Sequence, residues 1–483
     1  MAKEFIIAIE LGSSKITGVA GKKNQDGSIS ILTIAQEDSS ACIRKGVIYN
    51  LDRTVQCLIN IINKLETSLK AKIAHVYVGV GGQSIRSVKN VIVKEFEPDT
   101  IITQAIIDEL MDTNRSMTYP DQEILDAITQ EYKVDNQYQL DPAGIQCTRL
   151  EGNFLNILWR KSFYSSLNKC FNNAGIDIVE MYLAPLVLAD SVLTETEKRS
   201  GCMLVDIGAD TTTVSVYFKN ILRHIAVIPL GSNNVTKDIA SLQIEEDMAE
   251  EMKLKYGSAY TDNNAIDNSL ELPIDEDRKI ENRRFLEIVE SRMEEIIENA
   301  WYQMPTEFAD KMLGGIILTG GGANMPNIIE AFRKFTPINK TRIAKFVTFA
   351  INSNIPEITA KDGRMNTVLG LLERGNQNCA GEEISNNLFA NNANTAGTTT
   401  ASLHKEPRPL SETTGKGIVQ TEAEKQLAEE QARKKKEAEE AEAERLRQEE
   451  EERIAREKRE NSLLHRTSKR IKNFFHQIIT EEE

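Results

Sequence analysis

Apolar and polar positions follow two different periods along most of the chain. Short apolar runs bounded by small polar residues predict buried strands, as at residues 5–9 and 76–80. Apolar residues spaced three and four apart predict amphipathic helices at residues 55–69 and 285–301. Strands that alternate with helices in this way indicate an α/β protein with buried sheets.

Two stretches repeat one pattern: an apolar strand, an acid, a glycine, a small polar turn and a returning strand. The acid and the glycine are Glu10 and Gly12 in residues 5–21, and Asp206 and Gly208 in the second stretch. The acids lie 206 − 10 = 196 residues apart, and a repeat at this scale predicts two similar lobes that face each other. A turn of small hydroxyl residues can cup a phosphate with its backbone amides, although a hairpin that binds nothing is the alternative for either one.

A third glycine-rich turn follows the apolar run at residues 315–319, and its glycines are Gly320, Gly321 and Gly322. Three glycines between a strand and a helix let a flat ligand approach the backbone closely. A tight strand-to-helix turn without a ligand is the alternative. Together with the two hairpins, the turn favours a ligand site.

Residues 237–256 are predicted to form a helical, acid-rich stretch that contains Glu250 and Lys253. From the pattern alone, these two residues fit a solvated ion pair at i, i+3 spacing on the helix surface. The spacing by itself therefore gives them no role in binding.

Between the two repeats, short alternating strands surround a helix near residues 101–110 and predict an α+β insert. Its turn at residues 141–144 has proline to preset φ and glycine to accept positive φ. The complete division predicted from the sequence is a first lobe at 1–83 and 163–200, an insert at 84–162, a second lobe with a closing segment at 201–374, a disordered linker at 375–420, a charged helical spacer at 421–460 and an amphipathic helix at 461–483.

Charge and composition narrow the classes of function. The 73 acidic and 58 basic residues give a net charge of −15, which argues against general nucleic-acid binding. The six cysteines show no C-x-x-C spacing and indicate reduced thiols of a cytosolic protein. No apolar run approaches the roughly 18 residues of a membrane-spanning helix, so any membrane contact is predicted to be superficial.

The C-terminal stretch, residues 463–479, is a basic amphipathic helix by its spacing. Its apolar face consists of Leu464, Ile471, Phe474, Phe475, Ile478 and Ile479. Around the other face lie Arg466, Lys469, Arg470 and Lys472. Such a helix is typical of a membrane interface, and its basic charge opposes the acidic body. Docking on the surface of the protein itself is the alternative.

With these features in place, the chain resembles FtsA, the family of actin-like bacterial division proteins, across roughly residues 4 to 374 and again at the tail. The matching motifs are IELGSSK, the DPAG turn of the insert, VDIGADTTTVSVY, LRHIAVIPLG, AEEMKLKYG and GIILTGGGANMP. The resemblance implies an α/β actin/heat-shock ATPase-like fold of two lobes with an α+β insert subdomain, followed by a disordered linker and a C-terminal amphipathic helix. It also implies binding of ATP and Mg²⁺.

The resemblance implies roles for particular residues. The β- and γ-phosphates would lie against Gly12, Ser13, Ser14 and Lys15. The second phosphate loop would consist of Asp206, Gly208, Thr211 and Thr212. Asp206, directly or through water, and Glu10 would face the metal, Glu250 and Lys253 would meet the ribose or adenine edge, and the three glycines would back the adenine.

Two departures from the wider superfamily concern the chemistry. Glu10 stands where most of the superfamily has Asp, and its longer side chain would shift the metal or water geometry. Residues 181–193 hold no glutamine, whereas actin has one after the corresponding strand to orient the attacking water. Because a positioned water is central to phosphoryl transfer, slow or negligible ATP hydrolysis is expected.

The function implied by the resemblance is a cytoplasmic scaffold, peripheral on the inner face of the cell membrane at the division site. It would polymerise into actin-like filaments, tether the tubulin-like FtsZ to an anionic membrane surface, and recruit other division proteins through its insert. No binding of nucleic acid is expected. The alternatives are a pilus-assembly ATP-binding adaptor and a small-molecule kinase of the same superfamily, although no motif supplies the carboxylate base that a kinase needs.

Overall fold

The structure is a computed structural model that describes residues 4–98, 100–264, 266–275 and 278–381. In chain order its strands are β1 (Ile6–Leu11), β2 (Lys15–Lys23), β3 (Ile29–Asp38), β4 (Ile43–Arg44), β5 (Val47–Ile48), β6 (His75–Val80), β7 (Arg86–Glu95), β8 (Gln122–Val134), β9 (Gln137–Gln139), β10 (Arg149–Arg160), β11 (Asp177–Leu183), β12 (Cys202–Ile207), β13 (Thr212–Phe218), β14 (Ile221–Ile228), β15 (Glu271–Pro273), β16 (Lys279–Glu281), β17 (Gly315–Thr319), β18 (Thr341–Ile343) and β19 (Ile351–Asn352). Its α-helices are α1 (Leu51–Leu69), α2 (Gln104–Arg115), α3 (Lys161–Asn173), α4 (Ala184–Val192), α5 (Glu195–Ser200), α6 (Ser232–Ala240), α7 (Glu246–Tyr256), α8 (Asn282–Tyr302), α9 (Ile328–Phe335), α10 (Pro356–Thr359) and α11 (Asn366–Arg374).

Two mixed sheets carry the repeat predicted from the sequence. The first has the strand order β11-β6-β1-β2-β3-β19, and the second begins β18-β17-β12-β13-β14. In each sheet an antiparallel hairpin is followed on one side by a third antiparallel strand and flanked on the other by a parallel strand, β6 beside β1 and β17 beside β12. The α/β fold of two similar lobes is thus present in the described part of the chain.

Two large apolar clusters fill the lobes, and the first also takes in side chains from one face of the second sheet, such as Leu204 and Ile317. The first core gathers side chains from β1, β2, α1, α4 and α11, with Ile7, Ile9 and Leu58 fully buried. The second gathers side chains from β12, β13, α8 and α9 around Phe285 and Phe332. Continuous apolar runs suit strands that are covered on both faces, because helices then pack on each side of the sheet.

The insert extends the second sheet. Its strands add to that sheet in the order β7-β10-β8-β9, and α2 packs against them over a small core that contains Met111 and Phe154. The junction between β7 and β14 has one backbone pair, Arg86 with Ala226. Side chains reinforce it: the Ser87 hydroxyl donates to the Ile225 carbonyl oxygen at 3.0 Å and accepts from the Ile225 amide at 3.0 Å.

The structure differs from the sequence-based prediction in one helical stretch, and it shows where the end of the second lobe's closing segment packs. The stretch predicted to be helical at residues 237–256 is not one continuous helix in the structure. It is divided into α6 and α7 at Gln243, whose backbone is left-handed with φ 63°. The closing segment of the second lobe returns to the first lobe. There α11 packs against β1, β2 and α4, and β19 pairs with β3.

Candidate functional site

The turn between β1 and β2 is closed by a backbone hydrogen bond and is held in place by a side chain from outside the turn. The Gly12 amide donates to the Lys15 carbonyl oxygen at 3.1 Å, which closes the turn over Ser13 and Ser14. The Ser39 hydroxyl donates to the Gly12 carbonyl oxygen at 2.6 Å. Ser13 is buried, whereas Ser14 and Lys15 are exposed at the tip of the turn. The geometry presents amides, hydroxyls and one ammonium group, which is the donor set that a phosphate requires.

The turn between β12 and β13 repeats this geometry. The Gly208 amide donates to the Thr211 carbonyl oxygen at 2.8 Å, as Gly12 does to Lys15. Asp206 pairs with Thr213 across this hairpin, and Glu10 pairs with Thr17 across the first, so both acids lie seven residues from their partners. Thr212 is buried, and its hydroxyl donates to the Leu230 carbonyl oxygen at 2.9 Å, which anchors the loop to the segment between β14 and α6.

The two acidic side chains approach each other between the hairpins. Burial, and after it the negative charge of Asp206, raises the pKa of Glu10 to about 8, and a hydrogen bond with the Thr367 side chain opposes this rise. Burial also raises the pKa of Asp206 to about 6. Among the described residues, no Lys or Arg shifts the pKa of either carboxyl group. Two such half-buried carboxylates fit a divalent metal, since Mg²⁺ is commonly bound by one or two carboxylates together with substrate phosphates.

The three glycines after β17 are not equivalent. Gly320 has φ 85° and ψ 171°, a region open only to glycine, and a β-carbon there would lie 2.3 Å from the Asp206 Oδ1 atom. A β-carbon on Gly322 would lie 2.4 Å from the Ile207 Cγ2 atom. Gly321 is exposed, and the nearest atom to a β-carbon there is a side-chain carbon of Arg364 at 3.7 Å. Glycine is therefore required at Gly320 and Gly322 because the turn packs directly on the second hairpin.

The interpretation of Glu250 and Lys253 as a solvated pair is wrong for the lysine, which is only 5% exposed. Its ammonium group contacts the Glu250 carboxylate at 2.6 Å and donates to the Thr236 hydroxyl at 2.9 Å and to the Ser232 carbonyl oxygen at 3.3 Å. The Thr236 hydroxyl in turn donates to Glu250 at 2.5 Å. These contacts tie α7 to α6, whose first residue, Ser232, donates its amide to the Gly208 carbonyl oxygen at 2.9 Å.

Sequence reasoning missed two residues that position the loops. Thr367 reaches Glu10 from α11, and Ser39 fixes the backbone of Gly12 from the end of β3. Neither stands in a motif, and each contact joins residues far apart in sequence. No local signal identifies them.

The residues predicted to bind membrane and the predicted spacer lie outside the described residues, as does the predicted linker from residue 382 onward. Residues 375–381 of that predicted linker are described and pack on the first lobe: Cys379 is buried, and its amide donates to the Phe5 carbonyl oxygen at 2.8 Å. Every helix among the described residues is either too short or too polar to span a lipid bilayer. The same residues contain no group of three or more His, Cys, Asp and Glu side chains placed to hold a metal ion.

Comparison with known proteins places this geometry in a family. A family model described as "Cell division protein FtsA" matches residues 203–370, and one described as "SHS2 domain inserted in FTSA" matches residues 82–158. Cell division protein FtsA of Neisseria meningitidis serogroup B is 33% identical over 340 residues, which cover 69% of this chain and 82% of the relative. The FtsA of Porphyromonas gingivalis is 32% identical, with 68% and 70% covered.

The chain belongs to the FtsA family. It is therefore an actin-like cell-division protein, and its insert is the SHS2 domain of that family. Among solved structures, the PilM–PilN type IV pilus biogenesis complex matches with a TM-score of 0.53 at 14% identity, covering 76% of this chain and 98% of the other. That likeness shows the shared fold of the FtsA and PilM proteins and nothing about function.

Proposed function

We propose that this FtsA-family protein binds ATP with Mg²⁺ between its two hairpin loops and uses the bound nucleotide as a signal for assembly. The observation that carries the proposal is the pair of loops built alike, with the same ring closure and the same register. Two such turns on facing lobes would grip a phosphate chain from both sides. Family membership supports the same assignment.

In this arrangement Gly12, Ser13, Ser14 and Lys15 hold the terminal phosphates from the first lobe. From the second lobe the phosphates meet the loop that contains Asp206, Gly208, Thr211 and Thr212. Glu10 and Asp206 face the metal, which when bound neutralises charge on the phosphates and on the two carboxylates. The turn at Gly320 sits against Asp206 and keeps its carboxylate in place.

Hydrolysis is proposed to be slow. The strand β11 passes directly into α4, whose first turn contains Pro185, and the residues along this path include no glutamine to orient a water. Since phosphoryl transfer depends on a positioned nucleophile, ATP would stay bound long enough to act as a conformational signal.

The C-terminal helix is proposed to attach the protein to the inner face of the cytoplasmic membrane. Burying one Phe or Ile side chain contributes roughly 1.5–3 kcal/mol, and each basic residue near anionic lipid adds about 1 kcal/mol. Ordering a helix from a flexible chain offsets much of this gain, so one helix binds weakly and reversibly. A filament that presents many such helices binds far more tightly through avidity.

Filament formation thus couples to membrane residence, and the filament would tether FtsZ and further division proteins to the division site. The direct test is electron microscopy of the full chain on anionic lipid monolayers with and without ATP. Filaments that require both ATP and lipid support the proposal, and filaments indifferent to ATP contradict the role of the nucleotide. Phe474→Glu tests the membrane helix by vesicle sedimentation, with Phe5→Leu in the core of the first lobe as the control, and undiminished binding of Phe474→Glu would contradict the assignment.

A further inference from the structure

A small hairpin beside the first loop reaches the second lobe. It consists of β4 and β5, and its two-residue turn is Lys45-Gly46. Both turn residues have a left-handed backbone, with φ 51° and 70°. This conformation is the tight turn whose twist matches that of the paired strands, so the direction in which the turn amides point is fixed.

The amides of this turn point in two directions. The Gly46 amide donates to the Ser13 hydroxyl at 2.8 Å, inside the first phosphate loop. The Lys45 amide donates to the Asp210 Oδ2 atom at 3.3 Å, inside the turn that joins β12 to β13. One dipeptide therefore contacts both hairpin loops, one from each lobe.

Both ends of this connection are held in place. The Gln83 amide donates to the Lys45 carbonyl oxygen at 3.0 Å, and a β-carbon on Gly46 would lie 2.5 Å from the backbone of Gly82. On the other lobe, the Asn233 side-chain amide donates to the Asp210 Oδ1 atom at 3.0 Å. The Asp210 carboxylate is thus aimed at the Lys45 amide by a second partner.

We propose that the Lys45-Gly46 turn and Asp210 form an interlobe latch that slows release of the nucleotide. The hydrogen bond between the Lys45 amide and Asp210 joins the lobes at the phosphate end of the cleft. Opening the lobes breaks this bond, and closing them remakes it. Asp210 is a positioning residue here, since it acts on the ligand through the turn and not by direct contact.

The same turn also positions Ser13. Because its hydroxyl oxygen accepts from the Gly46 amide, its hydrogen stays free to donate to a phosphate oxygen. Lobe opening takes Asp210 away from the turn, whereas the Gly46 amide and Ser13 stay together on the first lobe. This regulatory role rests on the proposed binding of ATP, whereas the interlobe bond itself does not.

Two readouts on the full-length chain separate these levels. Hydrogen–deuterium exchange of the peptide that contains residues 43–48, without added nucleotide, reports the interlobe bond. Stopped-flow dissociation of a fluorescent ATP analogue reports its effect on release. The variants are Asp210→Ala, which removes the acceptor, and Asp210→Asn, which removes the charge but keeps a carbonyl oxygen for the Lys45 amide.

Asp210→Ala is expected to exchange faster than the native chain at residues 43–48 and to release the analogue about threefold to tenfold faster than Asp210→Asn, as the loss of one hydrogen bond predicts. Unchanged exchange in Asp210→Ala overturns the latch. Faster exchange with equal release rates in the two variants overturns its role in nucleotide release. Faster exchange in a protein that binds no analogue at any concentration supports the interlobe bond and instead overturns the proposed function.

Discussion

The glycine turn after β17 offers a sharp prediction, because its three glycines have different surroundings. In Gly320→Ala, the new β-carbon would lie 2.3 Å from the Asp206 Oδ1 atom and 2.6 Å from the Ile207 carbonyl oxygen. Both distances are far shorter than a normal contact, and the backbone at φ 85° adds strain. The strained backbone and the overpacking cost roughly 1–3 kcal/mol each.

The matched control is Gly321→Ala in the same turn. Its β-carbon would meet nothing nearer than the Arg364 side chain at 3.7 Å, which is ordinary contact. Gly322→Ala should fall between the two, since its nearest obstacle is the Ile207 side chain at 2.4 Å and its backbone is unstrained. The predicted order of destabilisation is therefore Gly320→Ala first, Gly322→Ala second and Gly321→Ala last.

Urea unfolding followed by circular dichroism measures this order, and titration with ATP measures its consequence for the site. Since displacement of Asp206 disturbs the proposed metal position, Gly320→Ala should lose ATP affinity beyond what its stability loss explains. If Gly320→Ala were as stable as Gly321→Ala, the packing of this turn on the second hairpin would be refuted. If stability fell but affinity for Mg-ATP in the folded fraction held, the link between Gly320 and the site would be refuted.

Three further predictions address other parts of the fold. Lys253→Met removes a buried ammonium group with three partners and should lower the free energy of unfolding by about 1–3 kcal/mol, measured by thermal unfolding. Lys255→Met, at an exposed position, should be nearly neutral, and equal effects of the two substitutions would contradict this prediction. Burial alone would raise the pKa of Glu197, but hydrogen bonds from the Arg342 guanidinium and a backbone amide lower it from an ordinary 4.5 to about 2. The ionised Glu197 therefore stabilises the folded protein fully above pH 4.5, and this contribution is lost as the pH falls towards 2. The difference in unfolding free energy between native protein and Glu197→Gln should shrink across that window, and a constant difference would contradict the ion pair. Gln130→Leu removes a side-chain amide that donates to a β14 carbonyl oxygen at 2.9 Å. Hydrogen exchange of the backbone amides in β7 and β14 should therefore become faster. Unchanged protection of these amides would show that other contacts hold the insert in place.

The repeat could be predicted from sequence because each hairpin is local. The apolar run, the acid and the glycine at Glu10 and Gly12, repeated at Asp206 and Gly208, specify strand, turn and return within a dozen residues. The structure adds the same ring closure in both turns and the same register. Resemblance to the FtsA family, carried by these motifs, is confirmed by the relatives.

Other features could not be predicted from the sequence, because they depend on contacts between distant residues or on a backbone conformation that the local sequence does not favour. The break between α6 and α7 rests on a left-handed Gln243, and no glycine or proline marks it in the sequence. The sequence pattern places Lys253 on the surface, whereas in the folded chain its ammonium group is buried and donates to the Thr236 hydroxyl and the Ser232 carbonyl oxygen. The contact between Lys45 and Asp210 spans 165 residues and depends on how the lobes close.

The central claim is that one nucleotide is held by two loops, one on each lobe. The most direct measurement is isothermal titration of the full chain with Mg-ATP, comparing the native protein with Gly12→Ala and Gly208→Ala. A β-carbon at these positions would lie 2.7 Å from the Lys15 carbonyl oxygen and 3.0 Å from the Thr211 carbonyl oxygen, so each variant disturbs one ring. We predict that the native protein binds one ATP per chain and that either substitution weakens this binding. No binding by the native protein, or binding that responds to only one of the two loops, would contradict it.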